Sequence, residues 1–206
     1  MIHSKKELNF YIHADRIMSG YEDGGWLHKL KFRLTYSPIL VYLKHMRYCA
    51  YYSNSGGVKS KVLFLYHFMR YKKLGIKLGF SIGYDVFGYG LHIPHYGTIV
   101  VNGNCQIGNY AVLHTSICIG GAGKVVGDGL YVGTGAKVMG PIHLGDGVSI
   151  ASQSLVNKNF TENHILLAGM PASIKKNRKV WYEEDGGIYI ERVKRIELLK
   201  KQMLHE

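Results

Sequence analysis

From Val101 to Val156 an aliphatic side chain returns every six positions: Val101, Ile107, Leu113, Ile119, Val126, Val132, Val138, Leu144, Ile150 and Val156, with one additional residue between Ile119 and Val126. Glycine follows at positions 108, 120, 127, 133 and 145, so the pattern reads Ile/Leu/Val-Gly-x4. A period of six predicts a parallel β-helix. Each hexapeptide supplies one short strand and one tight corner, and three such sides close a triangular coil. One aliphatic per side points inward and stacks on its equivalent about 18 residues later. About five coils, spaced at about 4.8 Å, fit between Ile82 and Ile174.

The flanks follow a helical period. Ser4-Lys5-Lys6-Glu7 is a capping box, and Leu8, Tyr11, Ile12, Ala14 and Ile17 continue it into a helix expected to end at Gly20. Gly24-Gly25 is a break. Pro38 opens a second helix through Tyr52, Asn54-Ser55-Gly56-Gly57 closes it, and a third runs from Val58 to about Lys77. These two are dense in Tyr, Phe, Lys and Arg. They are expected to pack on each other, on the open end of the β-helix or on a neighbouring subunit, with a membrane surface as the second reading. A tail helix over Ile188 to Leu204 carries Ile190, Val193, Ile196 and Leu199 on one side and is expected to form a second cap or an oligomer contact. The fold class is therefore mainly β: an N-terminal helical region (1–80), a parallel β-helix (81–176) and a C-terminal helical tail (177–206).

Charge narrows the partners. With 26 Lys and Arg against 14 Asp and Glu the formal net charge is +12, which favours anionic ligands: a phosphorylated cofactor, an acidic glycan, nucleic acid or anionic lipid headgroups. No recognisable nucleic-acid module supports the third of these. Cys49, Cys105 and Cys118 have no metal-ligand spacing and are odd in number, which suggests thiols in a reducing compartment and no metal. There is no signal peptide pattern, and an apolar run such as Ile39 to Leu43, which no other exceeds in length, is too short to span a bilayer. A cytoplasmic protein is expected, with the inner membrane face as a place it could work.

Departures from the repeat point to chemistry. Ile93 and Val101 are eight apart, so two residues must bulge from the coil within Pro94-His95-Tyr96-Gly97-Thr98, and His95 should project outward. His114 follows the inward Leu113 as Pro94 follows Ile93, which puts His95 and His114 on neighbouring coils at one corner. Two imidazoles there can share proton transfer and positioning. His92 reads as a solvated strand side chain and His143 as structural. The extra residue falls in Ile119-Gly120-Gly121-Ala122-Gly123, a loop able to bring backbone N–H groups close to a ligand, one coil from the histidines.

The segments Gly90-Leu91-His92-Ile93-Pro94-His95-Tyr96-Gly97-Thr98-Ile99-Val100-Val101, Ile119-Gly120-Gly121-Ala122-Gly123 and Ala168-Gly169-Met170-Pro171-Ala172 together resemble the serine acetyltransferase branch of the hexapeptide-repeat acyltransferases. The N-terminal helices resemble O-acetyltransferases of surface-polysaccharide biosynthesis. The resemblance implies a left-handed β-helix, a homotrimer and acetyl-CoA in a groove between neighbouring subunits. It implies His95 as catalytic base; Gly120, Gly121 and Gly123 in the glycine-rich turn beside the cofactor arm; and Gly135, Ala136 and Ala151 along the pantetheine groove. Met170, Pro171, Ala172, Lys175 and Lys176 fall at the nucleotide end. Serine acetyltransferases carry an Asp immediately before the catalytic His, where Pro94 stands, and another fifteen residues before it, where Phe80 stands. They also carry an Arg-His pair in a longer loop after the glycine-rich turn, where Lys124-Val125-Val126 follows directly. The expected acceptor is accordingly a sugar or glycan precursor, with serine O-acetylation the alternative and a non-catalytic trimeric scaffold the alternative of another class.

Overall fold

The structure, a computed structural model, describes residues 2–21, 37–184 and 186–204. The break expected at Gly24-Gly25 lies outside them. Helix α1 (Lys5–Met18) opens on the capping box foreseen for it: Ser4 Oγ accepts from the Glu7 N–H at 3.1 Å, and Glu7 Oε2 accepts from the Ser4 N–H at 3.0 Å. Helix α2 (Pro38–Ser53) has Ser37 as its cap and Pro38 in its first turn. Helix α3 (Val58–Leu78) ends at Gly79, whose left-handed φ of +79° brings its Cα against the Gly97 backbone, where a Cβ would lie 2.9 Å from Gly97 C and O.

Among the described residues thirteen short strands follow. The first sheet orders β1 (Phe80–Ile82), β2 (Ile99–Val101), β5 (Ile117–Gly120), β8 (Lys137–Met139) and β11 (Leu155–Val156). The second holds β3 (Cys105–Ile107), β6 (Lys124–Val126) and β9 (Ile142–Leu144). The third runs from β4 (Val112–Leu113) through β7 (Tyr131–Val132), β10 (Ser149–Ile150) and β12 (Ile165–Gly169) to β13 (Ala172–Asn177), which alone pairs antiparallel. The result is a parallel β-helix of about five turns. All ten aliphatics of the six-residue repeat are buried, each at 6% exposure or less. They stack as the period requires: Val101 pairs with Ile119, Ile119 with Val138 and Val138 with Val156.

One corner carries a ladder of short polar side chains. Asn109 Oδ1 accepts from the Tyr89 N–H, Asp128 Oδ1 from Asn109 N–H, Asp146 Oδ1 from Asp128 N–H and Asn163 Oδ1 from Asp146 N–H, at 2.7–3.1 Å. Each coil thus satisfies a backbone donor of the coil before it, which a corner outside the sheets would otherwise leave unpaired.

Helices α2 and α3 pack on each other and on the first coil, where the Tyr42 ring stacks on Tyr71 and meets Phe80 edge-on at 5.2 Å. The tail does not cap the far end. Helix α4 (Trp181–Glu184) and helix α5 (Ile188–Leu204) run back along the coil flank to α1, because Val193, Ile196 and Leu199 find their apolar partners on Phe10, Ala14 and Ile17. Trp181 Nε1 donates to Tyr110 O at 2.9 Å, and Tyr89 and Tyr110 both donate to Glu197. The thiols of Cys49, Cys105 and Cys118 are free, and burial pushes that of Cys49 up to about 12.

Candidate active site

The bulge is where the spacing puts it. His92 bridges Val112 and Ile99 pairs with Ile117, so seven residues on the first coil span what five span on the next. The two surplus residues push His95 outward, and it is exposed. His114 lies on the neighbouring coil, half-buried against the Tyr131 ring at 5.0 Å between centroids. The tail walls in this corner. His92, Pro94, His95, Val112, His114 and Tyr131 from the coils, with Arg178, Trp181, Glu184 and Tyr189 from the tail, line a cleft of about 510 Å³.

Electrostatics in the cleft keep two imidazoles neutral. Burial lowers the His114 pKa, and His95 adds to the effect. His92 is pushed down to about 4, first by burial and then by Arg192, His114 and His95. It is not the solvated side chain its position suggested: the tail and the end of α1 cover it, with the Tyr189 ring at 5.7 Å and the hydroxyl of Ser19, the C-cap of α1, at 3.5 Å from Nδ1. Arg178 binds Glu184 through Nη2 at 2.6 Å and lies over the Tyr131 ring at 5.7 Å. Among the described residues lining the cleft, Glu184 is the sole carboxylate, and it is engaged by Arg178. His143 is exposed on β9, opposite Val125.

The register also builds a groove. Leu113, Val132, Ile150 and Leu167 pair in succession, so the residues after them, His114, Gly133, Ala151 and Ala168, stand in one column along the coil corner. Backbone bonds continue the ladder: His114 N–H to Val132 O at 3.1 Å, Gly133 N–H to Ile150 O and Ala151 N–H to Leu167 O at 2.8 Å each. Three coil spacings make this a column about 14 Å long starting at an imidazole, in which Ala151 and Ala168 are half-buried and Gly133 is buried. The column ends in β12, whose hairpin presents Met170 and Pro171 at its tip and Lys175 and Lys176 on β13, all exposed. An extended thioester arm with an anionic end fits that arrangement.

Ala151 therefore lies where an arm could run, next in the column to Gly133, which is itself buried against the backbone of Ile150 and Ser152. Gly135 and Ala136 do not. Gly135 turns the corner with φ +77° against Gln153, and the next residue, Ala136, points inward and is wholly buried. Ala172 is likewise in the core. The glycine-rich turn is also displaced from its expected place. Gly120 ends β5, and Gly121 and Gly123 join it to β6, at the opposite edge of the first sheet from the histidine corner, because a whole side of the triangle separates Ser116 from Gly121. Lys124, buried despite its charge, holds that turn by donating from Nζ to the carbonyls of Gly120 and Gly121. No metal-binding cluster of His, Cys, Asp or Glu occurs among the described residues.

The chain is similar to serine acetyltransferases. That of Escherichia coli strain K12 is 35% identical over 94 residues, 42% of this chain and 34% of that one. That of Helicobacter pylori strain 26695 is 30% identical over 98 residues, 44% of this chain and 57% of that one. The crystal structure of the Neisseria gonorrhoeae enzyme superposes with a TM-score of 0.61 at 20% identity, over 84% of this chain and 66% of that one. No protein-family profile matches. The chain spans about a third to somewhat over half of the relatives' length in these matches, and the structural likeness shows the fold.

Proposed function

We propose that the chain is an O-acetyltransferase using acetyl-CoA as co-substrate, with His95 as general base. The observation that carries the reading is the column running from His114 through Gly133 and Ala151 to the lysine-bearing hairpin, beside the outward His95. His95 takes the proton of an acceptor hydroxyl as its oxygen attacks the thioester carbonyl. The tetrahedral intermediate collapses with cleavage of the C–S bond, and CoA leaves as thiolate and takes up a proton. General-base help of this kind is worth about 10²- to 10⁴-fold. His114, held neutral, accepts a hydrogen bond from the acceptor or donates one to it according to tautomer.

The acceptor has two readings. Relatives named for serine favour L-serine more directly than a sugar. A sugar hydroxyl, as in glycan-precursor acetylation, is favoured by the positions next to the base: Pro94 precedes His95, Phe80 is buried under Tyr42, and the carboxylate that lines the cleft, Glu184, is already held by Arg178. A neutral polyol acceptor needs no charged pair to hold it. A trimer is part of the proposal, since the histidine corner and the glycine-rich turn sit at different corners of one coil and a site using both draws the second from a neighbour. Release of CoA thiol with L-serine against a panel of sugars tests the reading. Turnover abolished by His95→Ala supports it, and acetyl-CoA that fails to bind favours a non-catalytic scaffold.

A further inference from the structure

Helix α3 buries one side and leaves the other bare. Its inner face packs Phe64, Phe68, Tyr71 and Leu78 toward the core. On the opposite face Val58 (78% exposed), Val62 (62%), Leu65 (56%), Met69 (56%) and Ile76 (83%) are open to solvent. At 3.6 residues per turn these five fall within about 60° of one another, in a stripe about 27 Å long. Lys61 and Lys72 border it on one side, Lys59, Lys73 and Lys77 on the other. From Ser37 to Tyr84 the chain has eight Lys or Arg and no Asp or Glu.

We propose that this face of α3 docks the protein on an anionic lipid bilayer. An apolar stripe between two rows of lysines matches the acyl–headgroup boundary: the aliphatics enter the apolar layer while the ammonium groups reach the phosphates. A second copy is the poorer occupant. A two-fold contact would set the same cationic borders against each other, and like charges there oppose association. No helix among the described residues is long and apolar enough to cross a membrane, so the contact is at the surface. The inference stands independently of the acetyltransfer reading.

Co-flotation of the full chain with vesicles tests it. The protein is expected to float with phosphatidylcholine vesicles containing phosphatidylglycerol, far less with phosphatidylcholine alone, and less as salt rises. Leu65→Glu with Met69→Glu should weaken flotation by at least about tenfold, with the helical circular-dichroism signal and melting midpoint unchanged. Lys61→Gln with Lys73→Gln, a milder pair that spares the stripe, should weaken it by several-fold. Failure of the wild type to float with anionic vesicles would overturn the proposal. So would unchanged flotation of both double variants, or a fall in oligomer mass by light scattering in the Leu65/Met69 variant, which would make the face a contact between copies.

Discussion

Arg47 grips Asp15 with two parallel hydrogen bonds, Nε to Oδ2 at 2.8 Å and Nη2 to Oδ1 at 3.0 Å, both side chains almost wholly buried. The guanidinium also donates to the carbonyls of Phe87 and Gly88 at 2.6 Å each, and Asp15 accepts from the Leu91 N–H at 2.9 Å. One ion pair thus ties α1 and α2 to the first coil. Asp15→Ala leaves a buried guanidinium uncompensated and should cost about 3–5 kcal/mol, read as a lower urea midpoint. Asp15→Leu combined with Arg47→Met should recover part of that loss: no charge is then left buried, while the Phe87 and Gly88 carbonyls and the Leu91 N–H lose their partners.

His95→Ala should lower kcat by about 10²- to 10⁴-fold while leaving the melting midpoint within a degree or two, since the side chain is exposed. Isothermal binding of acetyl-CoA should be little changed. A variant that kept full turnover would remove His95 from the chemistry.

Ala151→Leu places a branched side chain in the column between Gly133 and Ala168. It should raise the KM for acetyl-CoA about tenfold or more with a smaller change for the acceptor. Steady-state kinetics with each substrate varied in turn separate the two.

Stability should fall on acidification. His92 and His114 have folded pKa values below the unfolded value of about 6.5, so between there and the folded values the unfolded chain binds more protons. Their contribution is present above pH 6.5 and lost as pH falls below it, for His92 down to about 4. For His92 the loss is on the order of 3 kcal/mol. Melting midpoints across that range should drop, and His92→Gln should flatten the slope.

Why the sequence revealed some of this and not the rest follows from distance along the chain. The coil register and all ten inward aliphatics were legible because a solenoid repeats its own environment every turn. The capping box of α1 and the bulge at His95 are likewise local. His92 was misread because what buries it, Trp181, Tyr189 and Arg192, arrives from about a hundred residues away. The Asp15–Arg47 pair and the return of the tail to α1 depend on packing between separate elements, which no period encodes. The glycine-rich turn is legible as a loop, and its corner follows from counting sides and not coils: Ile119 is six residues, one side of the triangle, past Leu113, so the turn lies one corner on from His114.

That insertion leaves the sheets untouched. Paired residues are 18 apart from Val101 to Ile119, 19 apart from Ile119 to Val138, and 18 again from Val138 to Val156, and every pairing stays in step. The corner after β5 absorbs added length as a hem absorbs extra cloth. Segments of other lengths could be grafted there without re-registering a single strand, so new contacts for a substrate can be tried at this corner with the stacked core left as it is.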